Sequence, residues 1–142
     1  DNLGDWSSDV CSSDLVEVLA DRIFKGAKEA GATVVVKHVH EATLEDVTSA
    51  DAVAFGSPSM DNNRIEQEEM EPFIKQFELI SNENKDLVLF GSFGWDNGEF
   101  MKEWSTRMQG YGFNLIDTIS VKEAPSQKEL EEAINLGKIL AK

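Results

Sequence analysis

Two segments of the chain each set one large polarizable side chain among small and turn-forming residues. They read Gly56-Ser57-Pro58-Ser59-Met60-Asp61-Asn62-Asn63 and Gly91-Ser92-Phe93-Gly94-Trp95-Asp96-Asn97-Gly98. A thioether and an indole can sandwich a flat conjugated ring, the indole stacking on one face and the sulfur packing on the other. The plainer reading is that Met60 and Trp95 cover the end of a sheet. Other chemistry is sparse. Cys11 is the single cysteine and has no paired base, which excludes an internal disulfide and a Cys-clustered metal site, so redox chemistry needs a bound cofactor. His38 and His40 share strand parity without an evident third ligand, and a solvated strand face explains them better than a metal pair. The acidic run Glu66, Glu68, Glu69 and Glu71 reads as a solvated loop and helix start, with a docking surface for a basic partner as the functional alternative.

Elements of alternating type position the two loops. Each loop follows a short apolar run, Ala52 to Gly56 and Leu87 to Gly91, of the kind buried on both faces of a parallel sheet. In open α/β sheets ligands bind beyond the carboxyl ends of such strands. Val16, Leu19, Ala20, Ile23 and Ala27 form one helical face that Gly31 terminates, and the β-branched stretch Thr33 to Val39 predicts a strand. Met70, Phe73, Ile74 and Phe77 predict a helix with Pro72 near its start. Phe100, Met101, Trp104 and Met108 predict another, followed by a strand over Asn114 to Val121. The last helix opens on Ser126 and Glu129, a capping box, and runs on through Leu130, Ala133, Ile134 and Leu140.

The 142 residues suit one domain, with 41% apolar and 28% charged residues, close to a globular average. Lys and Arg total 13 against 27 Asp and Glu, a formal charge of −14 that repels nucleic acid and anionic membranes. No apolar run reaches the length of a membrane span and the N-terminal residues are acidic, so a cytoplasmic protein is expected.

The two loops, together with Lys25-Gly26-Ala27-Lys28-Glu29-Ala30-Gly31, Met70-Glu71-Pro72-Phe73 and Glu123-Ala124-Pro125, make residues 16–142 resemble the short-chain flavodoxins. The resemblance implies a flavodoxin-like α/β fold with strand order 2-1-3-4-5 and a one-electron carrier that binds flavin mononucleotide (FMN). It implies a cofactor site at Ser57, Pro58, Ser59, Met60, Asp61, Asn62, Asn63, Ser92, Phe93, Gly94, Trp95 and Asp96. Within it Trp95 would stack on the ring and Met60 flank the other face. The Asp61-Asn62 peptide would flip on reduction to accept the flavin N5 proton, and Asn63 would meet the pyrimidine edge. Lys122 borders the same sheet end. Basic-surfaced reductases or electron acceptors are the implied partners of a monomer.

Departures from the family pattern bear on competence. Asp61 and Asp96 stand where relatives often have glycine, which restricts the flip and adds negative charge near the ring, so reduction to the anionic, fully reduced form becomes harder. The family's phosphate loop, Ser/Thr-x-Thr-Gly-Asn-Thr, is matched only by Cys11-Ser12-Ser13-Asp14-Leu15-Val16. Asp14 there reads as a helix-capping acid rather than an anion receptor. Two unit charges about 4 Å apart at an effective dielectric near 20 repel by about 4 kcal/mol, roughly a thousandfold in affinity.

Residues 1–15 are rich in Asp and Ser, lack an apolar run, and over residues 5–15 resemble a translated sequencing adapter. The expectation is a non-native segment in place of the first strand and phosphate loop. Residues 16–142 would then supply four parallel strands. Two alternatives remain at this point: a flavodoxin-like oxidoreductase acting on quinone or nicotinamide, and a truncated domain that binds no FMN. A phosphoacceptor signalling domain is set aside, because Ala52 to Ser57 places no acid at its strand end.

Overall fold

A computed structural model describes residues 2–7, 13–59, 64–65, 67–82, 84–94, 98–122 and 125–141. Among these, five parallel strands form one sheet in the order β2-β1-β3-β4-β5, with β1 at Asn2–Ser7, β2 at Thr33–His38, β3 at Ala52–Pro58, β4 at Asp86–Ser92 and β5 at Asn114–Val121. The helices are α1 (Ser13–Glu29), α2 (Leu44–Thr48), α3 (Met70–Lys75), α4 (Glu99–Gly110) and α5 (Gln127–Leu140). Alternating strands and helices with a parallel sheet require crossovers that cover both faces, giving three layers.

Side-chain parity assigns the two faces. Val53 and Phe55 of β3 and Leu87 and Leu89 of β4 join the cluster that holds Phe73, Phe77, Phe100 and Trp104. Their neighbours Ala52, Ala54, Val88 and Phe90 face α1 and α5 instead. Glycines on the helices themselves let the two lie close. Helix contact is tightest where Gly137 meets α1 and Gly26 meets α5. A Cβ on Gly137 would sit 2.0 Å from the Ile23 carbonyl oxygen and 2.8 Å from the Ala27 nitrogen, both backbone atoms that cannot rotate away.

Local signals work where expected. Gly31, at φ 96°, ends α1 in the left-handed region that glycine enters without strain. At α5 the Glu129 N–H donates to Ser126 Oγ at 3.2 Å and the Ser126 N–H donates to Glu129 Oε1 at 2.9 Å. Helix α2, which the apolar pattern does not announce, rests on a similar box between Thr43 and Asp46. His40 lies in a 3-10 turn at Val39–Glu41, past the end of β2, so the shared strand parity expected for His38 and His40 is corrected.

The expectation of a missing first strand is also corrected. Residues 16–142 contribute four strands, and the slot between β2 and β3 is filled by Asn2–Ser7, with Gly4 opposite both Val35 and Val53 and Trp6 opposite both Lys37 and Phe55. A central parallel strand is held by two backbone ladders, which any non-proline residue can make, so position outweighs the low strand preference of Gly4 and Asp5.

Gly137→Ala is expected to cost about 1–3 kcal/mol through overpacking. Gly110→Ala, exposed in α4 with nothing within 4 Å of its added Cβ, should stabilise by about 0.5–1 kcal/mol. Urea unfolding of the two variants measures the contrast.

Candidate functional site

Both loops sit at one sheet end because the strands before them pair in parallel register. Gly56 stands opposite Phe90, Ser57 opposite Gly91 and Pro58 opposite Ser92. Past the strands, the Ser59 N–H donates to the Ser92 carbonyl at 2.7 Å, and the Phe93 N–H donates to the Val121 carbonyl at 2.9 Å. Each loop is therefore anchored to the next strand along the sheet.

Packing beneath the loops leaves no freedom at two positions. A Cβ at Gly56 would stand 2.1 Å from the Phe90 ring, and one at Gly91 would stand 2.4 Å from the Ser57 carbonyl oxygen and 2.8 Å from the Phe100 ring. Ser57 and Ser92 are buried polar residues at this end, and Ser57 Oγ donates to the Pro58 carbonyl at 2.9 Å. Ser59 and Phe93 are half-buried, while Gly94 is exposed with open space around its Cβ position. Of the expected site, Ser57, Pro58, Ser59, Ser92, Phe93 and Gly94 are thus brought together. Met60, Asp61, Asn62, Asn63, Trp95 and Asp96 lie outside the described residues.

A carboxylate bridge secures the chain that leads out of the first loop. Arg107 on α4 grips Glu71 on α3 bidentately, with Nη1 to Oε1 at 2.7 Å and Nη2 to Oε2 at 2.6 Å, while its Nε donates to the Tyr111 hydroxyl at 2.7 Å. The hydrogen bond to Glu71 raises the Arg107 pKa above its ordinary value, burial works against it, and Tyr111 adds to the rise. The reading of the whole acidic run as a solvated face is corrected at Glu71. Glu68 is exposed and Glu69 is half-buried, and Glu66 lies outside the described residues. The spacing of Arg107 and Tyr111, four apart on a helix, was the sequence signal for this cluster; its partner 36 residues away carried none.

Among the described residues of the ring end, Ser57 and Ser92 are buried and uncharged, Ser59 is half-buried, and Gly94 has open space around it, a surrounding compatible with an uncharged heterocycle. At the other end, β1 closes on Ser7 and α1 opens on Ser13, so the N-terminus of α1 faces the same sheet end as the loops. Helix N-termini attract anions. Here the first turn carries Asp14, and between Gly4 and Gly26 the chain has no glycine to let backbone N–H groups wrap a phosphate. The residues between β1 and α1, 8–12, lie outside the described residues.

Comparison with protein-family models matches residues 15–137 to the family described as Flavodoxin. The chain is 36% identical over 121 residues to a flavodoxin of Megasphaera elsdenii, covering 82% of this chain and 88% of that one. It is 32% identical over 126 residues to a flavodoxin of Clostridium beijerinckii, covering 88% and 90%. The solution structure of two-electron reduced Megasphaera elsdenii flavodoxin superposes with a TM-score of 0.83 at 29% identity, covering 97% of this chain and 98% of that one. An open parallel α/β sheet with two neighbouring loops anchored beyond its carboxyl ends is an architecture that binds nucleotide cofactors there. The chain belongs to the flavodoxin family, FMN-binding electron carriers.

Arg107→Ala is expected to cost about 1–2 kcal/mol, between an exposed and a buried pair, since both side chains are 27% exposed. A double-mutant cycle with Glu71→Ala, read by urea unfolding, should return a coupling of about 1 kcal/mol.

Proposed function

We propose that the 57–63 and 92–96 loops hold the FMN ring of a one-electron carrier. The observation that supports this is the lateral bond from the Ser59 N–H to the Ser92 carbonyl, which joins the start of one loop to the end of the strand that leads into the other. Trp95 stacks on one ring face and Met60 packs on the other, excluding water from both. The Asp61-Asn62 peptide carbonyl would accept a hydrogen bond from the flavin N5–H, and Asn63 would hydrogen-bond the pyrimidine edge. Bound FMN supplies the electron chemistry, and the protein positions the ring and sets the ease of its reduction. Asp61 and Asp96 add negative charge and so oppose reduction.

The remaining assignments follow from charge and the extent of the family match. Residues 16–142 are the flavodoxin domain and residues 1–15 a segment of separate origin, a reading supported by a family match that begins at residue 15. The net charge of −14 favours reductases and acceptors with basic surfaces, approached at a rate that falls with salt. The carrier works as a cytoplasmic monomer. Among the described residues, no helix is long and apolar enough to cross a membrane.

Flavin-fluorescence titration and potentiometry test the ring site. Trp95→Ala is expected to weaken flavin binding roughly tenfold, the worth of one aromatic stacking contact, and to shift the reduction potentials. Unchanged affinity and unchanged potentials would remove Trp95 from the site.

A further inference from the structure

We infer that the open edge of β2, with the groove beside α1, is a docking surface for an extended basic segment of a partner protein, which adds to the sheet as a further strand. Among the described residues β2 ends the sheet and pairs with β1 alone, in unbroken register from Thr33 to His38. Such an edge offers backbone N–H and C=O groups to another strand, and proteins guard it with bulges, prolines or charges. The opposite edge is guarded: β5 holds Ile116 as an extra residue between the partners of Leu87 and Val88, and Asp117 beside it is exposed. β2 has neither bulge nor proline. Its Val35 and Val36 are 47% and 46% exposed, and Lys37 is tied to Asp46 at 3.0 Å.

Charge and shape in the groove define the occupant. Ala20, Phe24 and Val36 line a hollow of about 410 Å³, with the exposed carboxylates of Asp21 and Glu41 at its rim. Beyond Phe24 the sign reverses: Lys28 lies over the Phe24 ring at 5.4 Å, Lys25 and Lys28 line an adjoining hollow, and Glu29 there is paired with Lys138 at 3.6 Å. Alternate side chains of a strand lie about 6.6 Å apart and a helix rises about 5.4 Å per turn, so consecutive side chains on one face of an added strand meet consecutive turns of α1. The turn at Asp21 takes a cation and the turn at Phe24 an apolar side chain. Polarity along the groove thereby fixes the direction of the segment. A second copy of this chain carries the same −14 charge and is repelled, whereas a basic partner is attracted.

The probe is an end-blocked, fluorescein-labelled peptide, Thr-Arg-Thr-Arg-Thr-Val-Thr, titrated into the full chain by fluorescence anisotropy, with amide hydrogen exchange of the protein followed in parallel. Binding is expected to weaken with salt and to slow exchange at β2 amides. Val36→Lys, which sets a charge on the edge, should weaken binding roughly tenfold, and Asp21→Asn combined with Glu41→Gln roughly three- to tenfold. The same peptide with every backbone nitrogen methylated should not bind. Anisotropy and exchange on the unaltered chain decide the matter even if a variant fails to fold. No binding at millimolar peptide, equal binding of the methylated peptide, or protection confined to other elements overturns the inference. A concentration-dependent dimer of the unaltered chain, seen by sedimentation and lost in Val36→Lys, overturns it as well, because a second copy then holds the edge.

Discussion

The close approach of β3, β4 and α4 at Gly56 and Gly91 is the constraint on which the candidate site depends. At both positions the neighbouring atoms occupy the space a side chain would need: the Phe90 ring at Gly56, and the Ser57 backbone with the Phe100 ring at Gly91. Aromatic rings thereby pack directly onto the strand backbone, and the last residues of β3 and β4 are fully buried. A loop that leaves such a strand starts from a fixed point in a fixed direction. The Ser59 to Ser92 bond then joins the two starting points. Protein interiors are too dense to absorb an added methyl by small adjustments, so a substitution at either glycine must displace a buried aromatic ring or the strand end itself.

The same tight packing explains how much was legible beforehand. Strands β3 and β4 are continuous apolar runs because both faces are covered, and their alternation of Ala with Phe and of Leu with Val already separates a helix-tight face from an aromatic one. Caps at Gly31 and Ser126 were legible because their chemistry is local. Two features were not. The bond between Glu71 and Arg107 spans 36 residues and leaves no local trace, so Glu71 looked like one more solvated acid. Helix α2 has five residues, too few to show a helical period, and only the Thr43 and Asp46 pair betrays it.

Strand β1 is the instructive miss. Composition argued against it, and composition is informative where side chains decide the outcome. In a central parallel strand the backbone decides much of it: Asn2–Ser7 lies between β2 and β3 and satisfies polar groups that both would otherwise expose. A stretch containing Asn2, Gly4 and Asp5 can fill that slot because the slot asks mainly for N–H and C=O groups at the right spacing.

The turn that follows β1 asks for something more specific. A phosphate site needs backbone N–H groups converging on one point, glycine to let the chain wrap, and an absence of competing negative charge. None of these is supplied by the pairing that holds β1 in place. The sheet and the anion site thus have different tolerances for the same segment. The ring loops issue from β3 and β4, whose ends pair with each other and pack on buried aromatic side chains, while β3 is held on its other edge by β1 as far as Gly56.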